Sequence, residues 1–134
     1  MVKKSKGLKK SGALVLTAML TVLSMSTTTF ATPLSYDSEE GIGIEVQSPT
    51  GMTGARSTTD DPAVSVAGGK LWTTWKGASM FRANYDHSKK THRCSVSNDH
   101  GEIKRSEWVS KGTRAISPWL YQTFSNNKAY AATK

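Results

Sequence analysis

A single cysteine, Cys94, stands in the 134-residue chain, so no disulfide can close within one molecule. The thiol is either a small buried side chain or a partner for another molecule, and its place on an apolar strand pattern favours burial. Long apolar runs are also missing. The longest, Ala13 to Met25, covers 13 positions with Thr17, Thr21 and Ser24 interrupting it, whereas a helix crossing about 30 Å of hydrocarbon needs roughly 20 residues. Carboxylates are scarce after residue 66, where Asp86, Asp99, Glu102 and Glu107 are the only ones. They show no pairing of the kind glycoside hydrolysis uses. There is no glycine-rich nucleotide loop, no nucleophile–base–orienter set and no internal repeat. Together these gaps argue against an enzyme and require no cofactor.

What is present begins with charge. The formal net charge of +8 is unevenly spread, because Lys3, Lys4, Lys6, Lys9 and Lys10 all precede the apolar run. A basic start, an apolar stretch and then Thr29-Phe30-Ala31 is the order of a secretory signal peptide. Cleavage is expected after Ala31, giving a secreted, extracellular protein. Removing residues 1–31 leaves thirteen basic residues against ten acids, which removes the main argument for nucleic-acid binding.

Residues 32–66 hold six acids against Arg56 and have Tyr36 as their only aromatic. Low hydrophobicity with net charge predicts a flexible acidic arm or propeptide, although Ile42, Ile44 and Val46 alternate as one short strand would. Residues 67–134 are the opposite, with twelve basic and four acidic residues, nine of the eleven aromatics and all four tryptophans. A domain this small buries only about 60% of its unfolded surface. Large aromatics, a homodimer or a bound ligand are the expected further sources of stability.

The pattern over 67–134 is one of strands, with no 3.6-residue stripe. Leu71, Thr73 and Trp75 alternate with Trp72, Thr74 and Lys76. Phe81, Ala83 and Tyr85 form an apolar face, as do His92, Cys94 and Val96. Asn98 to Gly101 is a turn, Ile103 to Val109 a weaker strand, and Arg114 to Ser117 and Leu120 to Phe124 short ones. Short strands at turn spacings of about ten residues predict an all-β sandwich or barrel.

The densest stretch is Asn84 to Val96. The spacing H-x4-H-x-C-x5-H over His87, His92, Cys94 and His100 matches no compact zinc pattern, and no metal is expected. Lys89, Lys90 and Arg93 beside the two histidines suit an anion better, since lysines on a turn flanked by backbone N–H groups make a phosphate or pyrophosphate site. Trp72, Trp75 and Tyr85 could stack on sugar or prenyl groups, or be core.

These residues carry a resemblance. Gly68-Gly69-Lys70-Leu71-Trp72, the run Asn84 to His92, Val96 and Asn127-Lys128-Ala129-Tyr130 resemble the lactococcin 972 family of bacteriocins over about residues 67–130. The family has a small residue where Cys94 falls, in keeping with a buried thiol. The resemblance implies a β-sandwich of two small antiparallel sheets. It further implies binding of the cell-wall precursor lipid II, with a block of septum formation in Gram-positive bacteria and membrane-surface contact through that target. The expected ligand contacts are Trp72, Tyr85, His87, Lys89, Lys90 and His92. The competing expectation is a non-toxic secreted module that binds cell-wall polysaccharide.

Overall fold

A computed structural model describes residues 34–49 and 57–134. The signal peptide expected over residues 1–31 lies outside the described residues. The elements are β1 (Leu34–Asp37), β2 (Gly41–Glu45), β3 (Thr58–Asp60), β4 (Val64–Val66), β5 (Gly69–Lys76), β6 (Met80–Asp86), β7 (His92–Ser97), β8 (Ile103–Arg105), β9 (Ala115–Ile116), β10 (Leu120–Tyr121) and β11 (Lys128–Thr133). All pairings among them are antiparallel. One sheet is ordered β1-β2-β11-β7-β8. The other is ordered β10-β6-β5-β3, with β4 also on β5 and β9 also on β6. The fold is thus all-β with two antiparallel sheets, consistent with a β-sandwich.

Alternation along each strand selects the side chains that enter the core. On β5, Leu71, Thr73 and Trp75 are fully buried, and on β6 so are Phe81, Ala83 and Tyr85. The register joins them in rows, Leu71 opposite Tyr85 and Trp75 opposite Phe81. In the second row the rings stack at 5.1 Å between centroids. The other sheet supplies Ile44, Val46, Cys94, Val96, Ala129 and Ala131 to the same apolar cluster. The sheets also meet through a polar contact, because the Cys94 thiol donates to the Ala83 carbonyl at 3.3 Å. Cys94 is therefore buried and free.

Within the segment read as an acidic arm, the described residues 34–49 and 57–66 carry β1 to β4. Ile44 in β2 and Val46 just beyond it alternate into the core at 4% and 7% exposure. Gly41 lets β2 reach β11: its φ is +96°, and a Cβ there would strike the Ala131 carbonyl oxygen. The acids are used locally. Asp37 accepts the backbone N–H groups of Glu39 and Glu40, each at 2.8 Å, closing the β1–β2 turn. Buried Glu40 accepts from Arg105 Nε at 2.7 Å.

Two corrections concern strand length. The run expected from Leu120 to Phe124 ends at Tyr121. Beyond it, Asn127 Oδ1 accepts the Thr123 N–H at 2.8 Å and Asn127 Nδ2 donates to the Thr123 carbonyl at 2.7 Å, turning the chain back. The run expected from Ile103 to Val109 breaks after Arg105, and Val109 returns as an isolated bridge to His92.

Candidate functional site

Gly68 lies in the turn before β5, Gly69 opens β5, Asp86 closes β6, and the loop before β9 runs past them. Between them lies a concavity of about 450 Å³ lined by Gly68, Gly69, Lys70, Asp86, His87, Ser88, Gly112 and Arg114. Glycine at 69 is required by close approach, because a Cβ there would run into the Asp86 carbonyl and sit 2.7 Å from the Tyr85 ring. Gly112 adopts φ +84° with open space where a Cβ would be.

His87, which lines the concavity, clusters with Tyr85 and His92, the three rings lying within 5.5–6.0 Å of one another. Tyr85 is fully buried and donates its hydroxyl to the Val66 carbonyl at 2.7 Å. Burial pushes the phenol up to about 12, so it remains a neutral donor. His87 Nδ1 accepts the N–H groups of Lys89 and Lys90 at 3.0 and 3.1 Å. That leaves the proton on Nε2, which donates to the Ala67 carbonyl at 3.0 Å. His92, fully buried, faces a carbonyl on each side: Lys90 at 2.8 Å from Nδ1 and Thr113 at 2.7 Å from Nε2. Carbonyls only accept, so both contacts are hydrogen bonds when both ring nitrogens carry protons.

This lacing positions the loop that bears Arg114. Gly112 N–H donates to the His87 carbonyl at 2.9 Å, and Val109 and His92 exchange two backbone hydrogen bonds. Arg114 itself is held on two sides. Its Nε and Nη2 donate to the two Asp86 carboxylate oxygens at 2.9 Å each, and its guanidinium lies 4.7 Å over the Trp72 ring. A bidentate pair of this kind fixes orientation as well as charge.

The expected contacts are therefore distributed unequally. His87 lines the concavity. Trp72, half-buried, borders it through Arg114. Tyr85 and His92 have no exposed surface and reach it only through their ring contacts with His87. Lys89 and Lys90 are exposed but outside the lining. Their backbone N–H groups, expected to cradle an anion, point inward to His87 instead. Lys70, Ser88, Gly112 and Arg114 were not expected there. Gly112 and Arg114 lie more than twenty residues beyond Ser88, in a segment that no local pattern connects to Asn84–Val96. Lys70 carried a signal, since it belongs to the Gly-Gly-Lys run.

The chemistry available is polar binding. Lys70 Nζ donates to Ser65 at 2.8 Å, and Arg114 keeps half its surface in solvent. Among the described residues, no three His, Cys, Asp or Glu side chains group as metal ligands, and no helix is long and apolar enough to cross a membrane. The Cys94 thiol is raised to about 12 by burial, far from the thiolate a nucleophile needs. Comparison with family models, with curated proteins and with solved structures finds no match to the chain.

Proposed function

We propose that the protein is a secreted, non-enzymatic antibacterial, similar to lactococcin 972, that captures lipid II and blocks septum formation. The observation that carries this reading is the concavity at Gly68–Lys70, Asp86–Ser88 and Gly112–Arg114. It falls on the Gly-Gly-Lys and Asp-His-Ser residues that underlie the resemblance. Asp86 takes the Nε and Nη2 donors of Arg114, which leaves Nη1 for a single pyrophosphate oxygen, and Lys70 adds a second cation.

The test is a titration of the purified secreted protein with lipid II in micelles, alongside microscopy of treated Gram-positive cells. Lipid II is expected to bind, and Arg114→Gln to weaken binding at least tenfold. The exposed Arg114–Asp86 pair contributes only about 0–1 kcal/mol to stability, so the unfolding midpoint should barely move. Absence of both lipid II binding and septation defects across several target species overturns the proposal. Retention on wall polymer without growth inhibition favours the non-toxic wall-binding reading.

A further inference from the structure

We infer that the outer face of the β10-β6-β5 sheet carries a second binding surface, centred on Trp119, Arg82 and Lys76, for an anionic glycan. The register places it. Trp75, Phe81 and Leu120 form one cross-strand row that points into the core. The adjacent residues therefore point away from it, giving the rows Thr74–Arg82 and Lys76–Met80–Tyr121 on the opposite face. Trp119 joins that face, with the Arg82 guanidinium 4.4 Å and the Lys76 ammonium 5.7 Å from its ring centroid. Tyr121 and Ile116 extend the apolar part at 65% and 44% exposure.

These two cations differ from the other ring-stacked arginines. Arg114 over Trp72 is neutralised by Asp86, and Arg93 over Trp108 has Glu40 at 3.9 Å. Neither Arg82 nor Lys76 enters an ion pair among the described residues. All ten carboxylate side chains of the sequence lie within those residues. Asp60, the acid that the register brings to Thr74, is bonded to the Thr74 hydroxyl at 2.6 Å. Arg82 Nε is shielded from solvent with no hydrogen-bond partner. The sheet thus holds a guanidinium over an indole with no hydrogen bond or ion pair of its own among the described residues, and a second cation beside it.

That pair of features selects the ligand. Indole and phenol rings take the C–H face of a sugar, and an oriented guanidinium takes a carboxylate or phosphate two-pronged. A cation already immobilised on a ring loses less rotamer freedom on binding. A neutral glycan would leave both cations unmatched. From Lys76 to Trp72 the outer positions of β5 span roughly 13 Å at about 3.3 Å per residue, longer than one sugar ring.

The experiment uses the purified secreted protein with polymers that carry neither pyrophosphate nor a prenyl chain, so its outcome is separate from lipid II capture. The probes are a polyol-phosphate wall teichoic acid, a uronate polymer (hyaluronan), a neutral glucan and an oligothymidylate. At least one of the two anionic glycans is expected to bind, which also identifies the acidic group, and binding should weaken as salt rises. The Arg82→Gln/Lys76→Gln double variant should bind at least tenfold more weakly, with an unchanged unfolding midpoint and intact lipid II capture. Trp119→Ala should lose a similar factor. The inference is overturned if neither anionic glycan binds, if the double variant binds as tightly as the wild type, or if the oligothymidylate or the neutral glucan binds more tightly than both anionic glycans.

Discussion

At the residue scale, burial decides what each polar group can do. Cys94 is the clearest case. It is 1% exposed, its thiol donates to the Ala83 carbonyl, and its titration is raised from 9.0 to about 12 by burial. A rise of that size lowers the thiolate fraction near neutrality about a thousandfold. An aromatic disulfide reagent should therefore leave the native protein unmodified over hours and label one thiol promptly in denaturant; prompt native labelling would show the strand face open. Gly69 is constrained from the other direction. Its missing side chain lets β5 lie against the Asp86 carbonyl and the Tyr85 ring. Gly69→Ala should destabilise by about 1–3 kcal/mol, the usual range for overpacking, read as a lower urea midpoint at unchanged slope.

At the element scale, the β1–β2 hairpin shows how charge can stabilise an element with little apolar surface. Its turn is closed by Asp37 accepting two backbone N–H groups, and its end is held by Glu40 against Arg105. Burial alone would raise the Glu40 titration, but the Arg105 hydrogen bond and the charges of Arg105 and Arg93 outweigh it and hold it below the ordinary 4.5. For Asp37 the backbone hydrogen bonds of Glu40 and Glu39 hold it below the ordinary 3.8. A carboxyl lowered in the folded state contributes stability above its unfolded value and loses it as pH falls through the folded one. The unfolding midpoint should therefore drop as pH is taken below about 4.5. Glu40→Gln should lower stability near neutrality by about 1–3 kcal/mol and flatten the acid slope. An acid slope identical to that of the wild type would place the linkage elsewhere. A charge count by itself cannot distinguish carboxylates spent on N–H groups and arginines, as Asp37 and Glu40 are, from carboxylates left in water.

At the scale of the whole molecule, strand pairing crosses residue 67. β2 pairs with β11, and β3 and β4 pair with β5. A fragment of residues 67–134 would lose Ile44, Val46 and Val66 from the core. Full burial of one such side chain is worth about 1.5–3 kcal/mol, so the three approach the 5–15 kcal/mol that holds a typical domain folded. That fragment should show no cooperative thermal transition, whereas the chain from Thr32 onward should show one. A cooperative transition in the fragment would mean that the first four strands are an addition. The same interdependence joins the concavity to the core. His87 and His92 bind the loop of Gly112 and Thr113, so loosening the loop removes Arg114 from the site.

The sequence by itself determined the inward faces of β5, β6 and β7. Leu71, Trp75, Phe81, Tyr85, Cys94 and Val96 alternate at the strand period, and burial follows alternation whenever one face meets a core. It also marked Gly68 to Trp72 and Asn84 to His92 as unusual. Only the tertiary structure decided which partners those residues would have. Antiparallel pairing brought β11 between β2 and β7, and brought Arg114 from a distant loop onto Asp86 and Trp72. It left Arg82 and Lys76 on Trp119 without a carboxylate. Such contacts depend on register and on the direction a side chain leaves its sheet. A linear pattern encodes the face a residue points to, but not the group that waits there.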